Sequence, residues 1–268
     1  MTAAATRSAG AGVCPAVVAE FDQQGVAIIP GMVDRQVALS WRPILQRLID
    51  EDVDRWGDNP FYADHYMVHN LMARHEVFLS FLDNDTMHAY LDACFCANPI
   101  VYGYTSSSMP PSGTNYSHRI HVDCPRLIPG YRTNIGVILA LDDFTEENGA
   151  TYFLPGSFER AEPPGEDEFF AHARRLLPRA GDALLVNPRT WHYGGWNATA
   201  APRHAITVNI CRPYIRQRFD YPRLLGTGLL DRVSPRLRRF LGYDVRIPAS
   251  LEEYYVAPDQ RLHKGGLE

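Results

Sequence analysis

Hydrophobic residues in the first third of the chain recur every three or four positions, which is the period of a helix buried on one face. The longest such stripe consists of Val37, Trp41, Leu45, Leu48 and Ile49. Either Asp34 or Ser40 can cap the start of this helix. Because Pro43 lies inside the pattern, the helix either begins near Ser40, with Pro43 in its first turn, or is kinked at Pro43.

Shorter apolar patterns flank this helix. Residues 26–29 form a hydrophobic run stopped by Pro30 and Gly31, which predicts a strand. Apolar positions between residues 77 and 95 predict one broken helix or two short helices in the core. Residues 56–69, between the long helix and residue 77, are rich in aromatic side chains. His65 and His69 are four positions apart in this segment, as on one helix face. Packing is the favoured role of this segment, and a substrate-pocket wall is the alternative.

Beyond residue 100 the hydrophobic period shortens to two, as in strands. Strands are predicted over residues 100–105, 117–123, 132–141, 151–154, 183–186 and 204–211. In the last of these, Ile206, Val208 and Ile210 face one side, and small or polar residues share the other side with Arg203. The same alternation in the third predicted strand places Asn134 on the inner, polar side.

Many short strands with Gly- and Pro-containing turns, behind N-terminal helices, predict a mainly β fold with flanking α-helices. The specific expectation is a double-stranded β-helix (jelly roll, cupin-like). A chain of 268 residues is long enough for one such domain. We therefore predict a flexible N-terminal tail over residues 1–18 and a single jelly-roll domain over residues 19–268, with N-terminal helices and a C-terminal lid segment.

Composition argues against several classes of function. The formal net charge of -5 lacks the basic bias of a nucleic-acid-binding domain. No apolar run approaches the ~20 residues that cross a bilayer. Five cysteines without zinc-type spacing indicate reduced thiols in a cytoplasmic protein. The expected partner is a small molecule, with no nucleic acid and no membrane, and the oligomeric state stays open.

The candidate chemistry begins with His121 and Asp123, which are two positions apart on a predicted strand and therefore project to the same side. A His-x-Asp triplet alone is common, so it carries little weight by itself. A distant imidazole, such as that of His192, would complete two nitrogens and one carboxylate oxygen on one side of a metal. That set is typical of Fe(II) oxygenases, because it leaves the opposite positions open. His118 is a rival ligand that points differently on a strand.

Short motifs follow one another in a fixed order between residues 116 and 203. They are His121-Val122-Asp123, Glu147-Asn148-Gly149, Leu154-Pro155-Gly156-Ser157, Gly181-Asp182, His192 and, eleven residues later, Arg203. This ordered set resembles the phytanoyl-CoA dioxygenase family of Fe(II)- and 2-oxoglutarate-dependent oxygenases, and the resemblance extends from about residue 21 to about residue 243. Phe158 departs from the pattern, because the family usually has His after Pro-Gly-Ser, but that position is not a metal ligand in the family.

The resemblance implies that Fe(II) is the metal, that 2-oxoglutarate and O2 are co-substrates, and that the catalytic ligands are His121, Asp123 and His192. It also implies that Arg203 binds the far carboxylate of 2-oxoglutarate, for which a guanidinium offers a planar and permanently charged fork. Further candidate contacts to 2-oxoglutarate are Thr151, Asn134 and His118. Related halogenases have Ala or Gly at the position of Asp123, so the carboxylate argues against halogenation.

Other motif residues are expected to serve structure. Turns that need unusual backbone angles are predicted at Gly149, Gly156 and Gly181. Turn-stabilising side chains are predicted at Asn148 and Asp182. His204 is expected to be a hydrogen-bonded core histidine, and Trp191 and Trp196 are expected to orient His192 or exclude water.

The implied function is hydroxylation of a C–H bond of a small molecule, in specialised-metabolite biosynthesis, with 2-oxoglutarate and O2 converted to succinate and CO2. Alternatives are desaturation, epoxidation or rearrangement at the same site, or a jelly-roll protein that binds metal without oxidative turnover. A protein- or nucleic-acid-modifying oxygenase lacks a supporting basic groove. The substrate pocket and lid are expected to involve residues 56–69, 106–113 and 219–230.

Overall fold

The longest helix precedes residue 100 and most of the strands follow it, as the hydrophobic pattern predicts. The computed structural model describes residues 12–63 and 65–264. Its α-helices are α1 (Pro15–Gln24), α2 (Arg35–Trp56), α3 (Leu71–Arg74), α4 (Glu76–Phe81), α5 (Asp85–Cys94), α6 (Glu166–His172), α7 (Tyr221–Leu225), α8 (Pro235–Phe240) and α9 (Leu251–Tyr254). Its strands are β1 (Val26–Ile29), β2 (Ile100–Ser106), β3 (Asn134–Ala140), β4 (Tyr152–Phe153), β5 (Arg174–Arg175), β6 (Ala183–Val186), β7 (His192–Tyr193) and β8 (Ala205–Cys211).

Helix α2 begins at Arg35 because Asp34 caps it. The Asp34 carboxylate accepts hydrogen bonds from the backbone N–H groups of Gln36 and Val37, at 2.8 and 3.2 Å. Pro43 lies inside the helix, so the alternative start near Ser40 is wrong. The buried stripe of α2 supplies Trp41 and its helical neighbours to the core, as predicted.

Two antiparallel sheets form the centre of the molecule. The larger sheet has the strand order β1-β6-β3-β8-β2, and the smaller has the order β5-β4-β7. Phe153 of the small sheet packs against Leu184 and Val186 of the large sheet, so the two sheets face each other. Helices cover the opposite face of the large sheet. This arrangement is the predicted jelly roll with flanking helices.

The alternation predicted for β8 is confirmed by its packing. Ile206, Val208 and Ile210 belong to the main core beneath the helices. The other face of β8 looks toward the small sheet, and there Asn209 pairs with Gly136 of β3. Asn134 lies on the same inner face of β3, as predicted, because it is two residues from Gly136.

Several local predictions are wrong. Residues 117–123 do not form a regular strand, since only His121 makes a bridge there, with His192. His65 and His69 do not share a helix, because His69 makes a strand-like bridge to Thr105. These segments follow backbone partners that are distant in sequence, which local periodicity cannot reveal.

The loop predicted as a lid, residues 106–113, is tied to the body of the protein. Met109 exchanges two backbone hydrogen bonds with Arg203, at 2.8 and 3.0 Å, and is 1% exposed. Gly113 pairs in the same way with Asn197. This turn-rich segment is therefore an irregular extended stretch that pairs with Asn197 and Arg203, and it is not a lid.

The two ends of the predicted domain also differ from expectation. Helix α1 starts at Pro15, so residues 15–18 are not part of a tail, and residues 1–11 lie outside the described residues. In the segment predicted as a C-terminal lid, Tyr221 is fully buried and Leu225 packs against the helical core. All five cysteines are free. In the described parts of the chain, no helix is both long and apolar enough to cross a membrane.

Candidate active site

Backbone pairing between two distant segments brings His121, Asp123 and His192 together. His121 and His192 exchange N–H···O bonds of 3.0 and 2.9 Å, which hold their ring centroids 4.1 Å apart. The N–H of Asp123 donates to the carbonyl of Pro188 at 2.9 Å, so its side chain turns to the same place. The Asp123 Oδ1 atom lies 3.7 Å from Nε2 of His121 and 3.8 Å from Nε2 of His192.

Hydrogen bonds to carbonyl oxygens fix the tautomers of both imidazoles. Nδ1 of His121 lies 2.8 Å from the carbonyl oxygen of Arg119, and Nδ1 of His192 lies 2.9 Å from that of Thr190. Because a carbonyl only accepts, each Nδ1 carries the proton and each Nε2 presents a lone pair. Burial, together with the neighbouring His192, lowers the pKa of His121 to about 4, so the ring is neutral at neutral pH.

The three side chains fit one divalent metal ion. Their ligand atoms all lie within 4.8 Å of one another. Two bonds of about 2.1 Å can span up to about 4.2 Å, so each histidine can share an ion with Asp123 at the observed separations. Two neutral imidazole nitrogens and one carboxylate oxygen are the donor set of non-haem Fe(II) oxygenases. The ring of Phe153 stacks on His192 at 5.7 Å and closes one side of the site.

Arg203 is a buried cation on the inner face near the start of β8. It is 2% exposed, and its guanidinium carbon lies 4.0 Å from the centre of the Phe144 ring. Nη2 has a long contact of 3.5 Å to the carbonyl of Gly149, and Nε has no hydrogen-bond partner within the described structure. Burial lowers the pKa of Arg203 to about 10, with attraction to Asp142 opposing this, so the group stays charged at neutral pH. A buried, underused guanidinium is suited to a carboxylate ligand that accepts two hydrogen bonds.

The motif residues predicted to stabilise turns do so. Asn148 accepts a hydrogen bond from the N–H of Thr145 and donates to the carbonyl of Asp143, both at 2.8 Å. Gly149 follows with φ +83°, a conformation that other residues rarely adopt. Gly156 and Gly181 also have positive φ, and Asp182 accepts from the backbone N–H of Gly31.

Two neighbouring histidines are occupied elsewhere. His118 uses both ring nitrogens, one with the carbonyl of Gly194 at 2.9 Å and one with the hydroxyl of Tyr193 at 2.8 Å. It is therefore not presented to the metal position. His204 is 2% exposed and bonds to the hydroxyl of Ser108 at 2.9 Å, as expected of a core histidine.

Thr151 and Asn134, the other predicted contacts to 2-oxoglutarate, lie in different parts of the fold. Thr151 is half-buried just before β4. Asn134 lies at the end of β3 that pairs with Cys211, whereas Arg203 lies beyond the opposite end, near Ala140. Trp191 is buried with Leu154 and Phe169 against Ile120 and Val122, whose positions alternate with those of His121 and Asp123, and Trp196 is 52% exposed, so the packing of neither tryptophan places it over the metal position.

A polar cavity of about 330 Å³ opens beside Asp123. Among the residues that line it are Tyr102, Thr105, Arg119, Asn134, Asn209 and Arg218. Sequence reasoning missed Arg119 and Arg218. Arg119 could have been found, since it has the same two-residue spacing from His121 as Asp123, but no local signal marks Arg218.

Known proteins resemble this chain in both sequence and fold. Residues 21–205 match the family model described as Phytanoyl-CoA dioxygenase (PhyH). An uncharacterised protein of Mycobacterium tuberculosis is 28% identical over 90% of this chain and 91% of its own length. Dioxygenase FUM3 of Gibberella moniliformis is 31% identical over 63% of this chain and 60% of its own length.

Solved structures show the same fold. One is the non-heme alpha ketoglutarate dependent epimerase SnoN from nogalamycin biosynthesis, which matches with a TM-score of 0.58 and 19% identity over 73% of this chain and 79% of that protein. At this identity the likeness shows the fold alone. With a family model that spans well over half of its length and a site that offers the donor set of Fe(II), the chain belongs to the phytanoyl-CoA dioxygenase family and is a non-haem Fe(II)- and 2-oxoglutarate-dependent dioxygenase.

Proposed function

We propose that this dioxygenase oxidises a C–H bond of a small molecule, by hydroxylation, in the biosynthesis of a specialised metabolite. The observation that carries the proposal is the convergence of His121, Asp123 and His192 on one point of the jelly roll that holds the buried cation of Arg203. SnoN, a protein of the same fold, comes from nogalamycin biosynthesis, and we extend that kind of pathway to this chain as part of the proposal. Free cysteines support a reducing, cytoplasmic location.

In this proposal, His121, Asp123 and His192 hold Fe(II). When bound, the iron supplies the oxidation of substrate by O2, coupled to conversion of 2-oxoglutarate to succinate and CO2. The protein contributes neutral imidazoles, each held by a backbone carbonyl, and an ionised carboxylate. Because protons compete with the metal for these ligands, iron binding weakens in acid.

Arg203 binds the far carboxylate of 2-oxoglutarate. Its unpartnered Nε and loosely bonded Nη2 are donors that a carboxylate can satisfy, and the Phe144 ring holds the guanidinium plane in place. The hydroxyl of Thr151 is a further candidate contact on this side. Asn134 lies toward the other end of the inner face, so we assign it to the substrate cavity and not to this carboxylate.

The substrate occupies the cavity beside Asp123, where a C–H bond can lie close to the metal position. Phe153 stacks on the ring of His192 and limits the entry of water on that side of the site. The protein therefore positions and shelters the reacting groups, which is the main task of an enzyme whose cofactor carries the reactivity.

The test is succinate formation under air by the purified protein given Fe(II) and 2-oxoglutarate. Candidate specialised metabolites are then screened for faster succinate release, and the products are analysed by mass spectrometry with isotopically labelled O2. Hydroxylation predicts a product that gains one labelled oxygen atom. Succinate release without oxygen in the product would instead support desaturation or rearrangement, and no iron-dependent succinate at all would contradict the proposal.

A further inference from the structure

We infer that the substrate carries a negatively charged oxyanion, a carboxylate or phosphate, that Arg119 and Arg218 bind in the cavity beside Asp123. This inference rests on the proposed function, since it names the chemical class of the molecule that the cavity receives. It begins from the position of the two guanidinium groups, both of which line that cavity.

The backbone fixes each arginine at the cavity wall. Arg119 precedes His121 by two residues, and its carbonyl accepts the Nδ1 hydrogen bond of that histidine at 2.8 Å. The N–H of Arg218 donates to the carbonyl of Tyr102 at 2.9 Å, at an irregularity in β2 between Val101 and Gly103. Gly103 has no side chain to obstruct Arg218, whose Cδ lies 3.9 Å from the position that a Cβ would take there. Both arginines are thereby anchored near the metal position while their side chains remain exposed.

The described residues of the site offer these two cations no counterion. Among the described residues, Asp123 is the only acidic one in the lining of this cavity, and the proposed iron site uses it. Fe(II) and Arg203 together balance Asp123 and the two carboxylates of 2-oxoglutarate. Among the described residues, no carboxylate lies within 4.0 Å of the Arg119 or Arg218 guanidinium groups. The described lining of the cavity is therefore net positive in the loaded enzyme, which favours an anionic ligand.

The charges of 2-oxoglutarate are already offset elsewhere in the proposed site. Arg203 offsets one of its carboxylates and the metal offsets the other, so neither needs Arg119 or Arg218. The cavity also extends to Asn209, in the part of β8 away from Arg203. The two arginines are therefore available to a second molecule.

The surroundings of the cavity add further donors. Thr105, Asn134 and Asn209 line it with hydroxyl and amide groups that can hydrogen-bond to an oxyanion or to polar groups near it. A second cavity of about 320 Å³ shares Asn134 with the first and is lined by Arg126 and Arg212, among others. This extends the positive potential outward from the metal position and favours the approach of anions.

The experiment measures binding without turnover. The protein is loaded with Mn(II) and saturating 2-oxoglutarate, which occupies Arg203, and is titrated calorimetrically with benzoate, phenyl phosphate and neutral benzyl alcohol. Arg119→Gln and Arg218→Gln remove one charge each, and Arg218→Lys keeps the charge without the fork. Arg179→Gln removes an exposed charge outside the cavity and is the matched control. Circular dichroism checks that each variant is folded.

We expect the wild type and the Arg179→Gln control to bind at least one of the two anions about tenfold or more tightly than benzyl alcohol. Each glutamine substitution should lower the affinity for that anion about tenfold, as for loss of a charge-assisted hydrogen bond. The affinity of Arg218→Lys should lie between those of the wild type and Arg218→Gln. The better anion identifies phosphate or carboxylate as the recognised group. Equal binding of alcohol and anions, or unchanged anion binding in both glutamine variants, would overturn the inference. Anion binding by a protein that makes no iron-dependent succinate would instead count against the proposed function.

Discussion

The guanidinium of Arg203 stacks on the ring of Phe144, with its central carbon 4.0 Å from the ring centre, while its Nε has no protein hydrogen-bond partner. A cation 2% exposed with unused donors is costly unless a ligand anion satisfies them. The contact between Arg203 and Phe144 is therefore suited to binding a carboxylate. The ring fixes the plane of the guanidinium and leaves its hydrogen-bonding edge for the ligand. In the proposed function, this contact links the fold to the co-substrate 2-oxoglutarate.

Replacement of Arg203 should chiefly raise the requirement for 2-oxoglutarate. Arg203→Lys keeps a charge but loses the bidentate fork, and hydrogen bonds to charged groups contribute about 1.5–3 kcal/mol each. The KM for 2-oxoglutarate should rise about tenfold or more in Arg203→Lys and further in Arg203→Gln. Succinate formation across a range of 2-oxoglutarate concentrations measures this, and an unchanged KM in both variants would refute the assignment.

Phe144 should act through Arg203. Phe144→Leu removes the ring face, whose attraction for a desolvated cation is about 2 kcal/mol, whereas Phe144→Tyr retains it. We expect a higher KM for 2-oxoglutarate in Phe144→Leu, smaller than the effect of Arg203→Gln, and near-wild-type behaviour in Phe144→Tyr. Equal effects of the two Phe144 variants would show that the ring contributes only packing.

Gly149 cannot be replaced without cost. It has φ +83°, and an added Cβ would lie 3.0 Å from the carbonyl oxygen of Gly195 and 3.2 Å from the backbone nitrogen of Asn197. Gly149→Ala should lower the free energy of unfolding by about 1–3 kcal/mol, as for a residue forced into an unfavourable backbone region. Gly228, where an added Cβ meets nothing within 4 Å, provides the control. Urea denaturation should show a lower free energy of unfolding for Gly149→Ala than for Gly228→Ala. Equal values for the two variants would contradict the strain argument.

His204 should make the stability of the protein dependent on pH. Burial, reinforced by the charges of Arg42 and Arg203, lowers its pKa from 6.5 to about 4. Between these values the unfolded chain binds a proton that the folded protein resists, so the free energy of unfolding falls as the pH decreases from 6.5 to 4. The loss amounts to about 3 kcal/mol by pH 4.

The variant His204→Gln keeps a hydrogen-bonding group but cannot titrate. Urea denaturation of both proteins at pH 7 and pH 4.5 should show a steeper loss of stability in the wild type than in the variant. A loss of the same size in both proteins would mean that His204 is not the titrating group.

The sequence predicted the parts of the structure that depend on short-range pattern. The alternation of β8 placed Ile206 in the core and Asn209 on the inner face, and both positions are confirmed. The spacing of His121 and Asp123 placed both side chains on one side even though their segment is not a regular strand. Two-residue spacing survives there because the bridge to His192 keeps the backbone locally extended.

The failures concern pairings between distant segments. The turn-rich residues 106–113 suggested a lid, but their backbone groups bond to Arg203 and Asn197, about ninety residues further along the chain. Arg218 reaches the cavity beside Asp123 because its backbone bonds to Tyr102 at an irregularity in β2. Neither contact leaves a periodic trace in the sequence, so a single chain without its fold could not reveal them.

Iron stoichiometry under anaerobic conditions tests the central claim most directly. Fe(II) is titrated into the metal-free wild type and into His121→Ala, Asp123→Ala and His118→Ala, with circular dichroism to confirm folding. His118→Ala is the matched control, because both ring nitrogens of His118 are bonded away from the metal position. The account predicts one Fe(II) per chain in the wild type and in His118→Ala, and loss of stoichiometric binding in the folded His121→Ala and Asp123→Ala variants. Full iron binding by His121→Ala, or its loss in a folded His118→Ala, would contradict it.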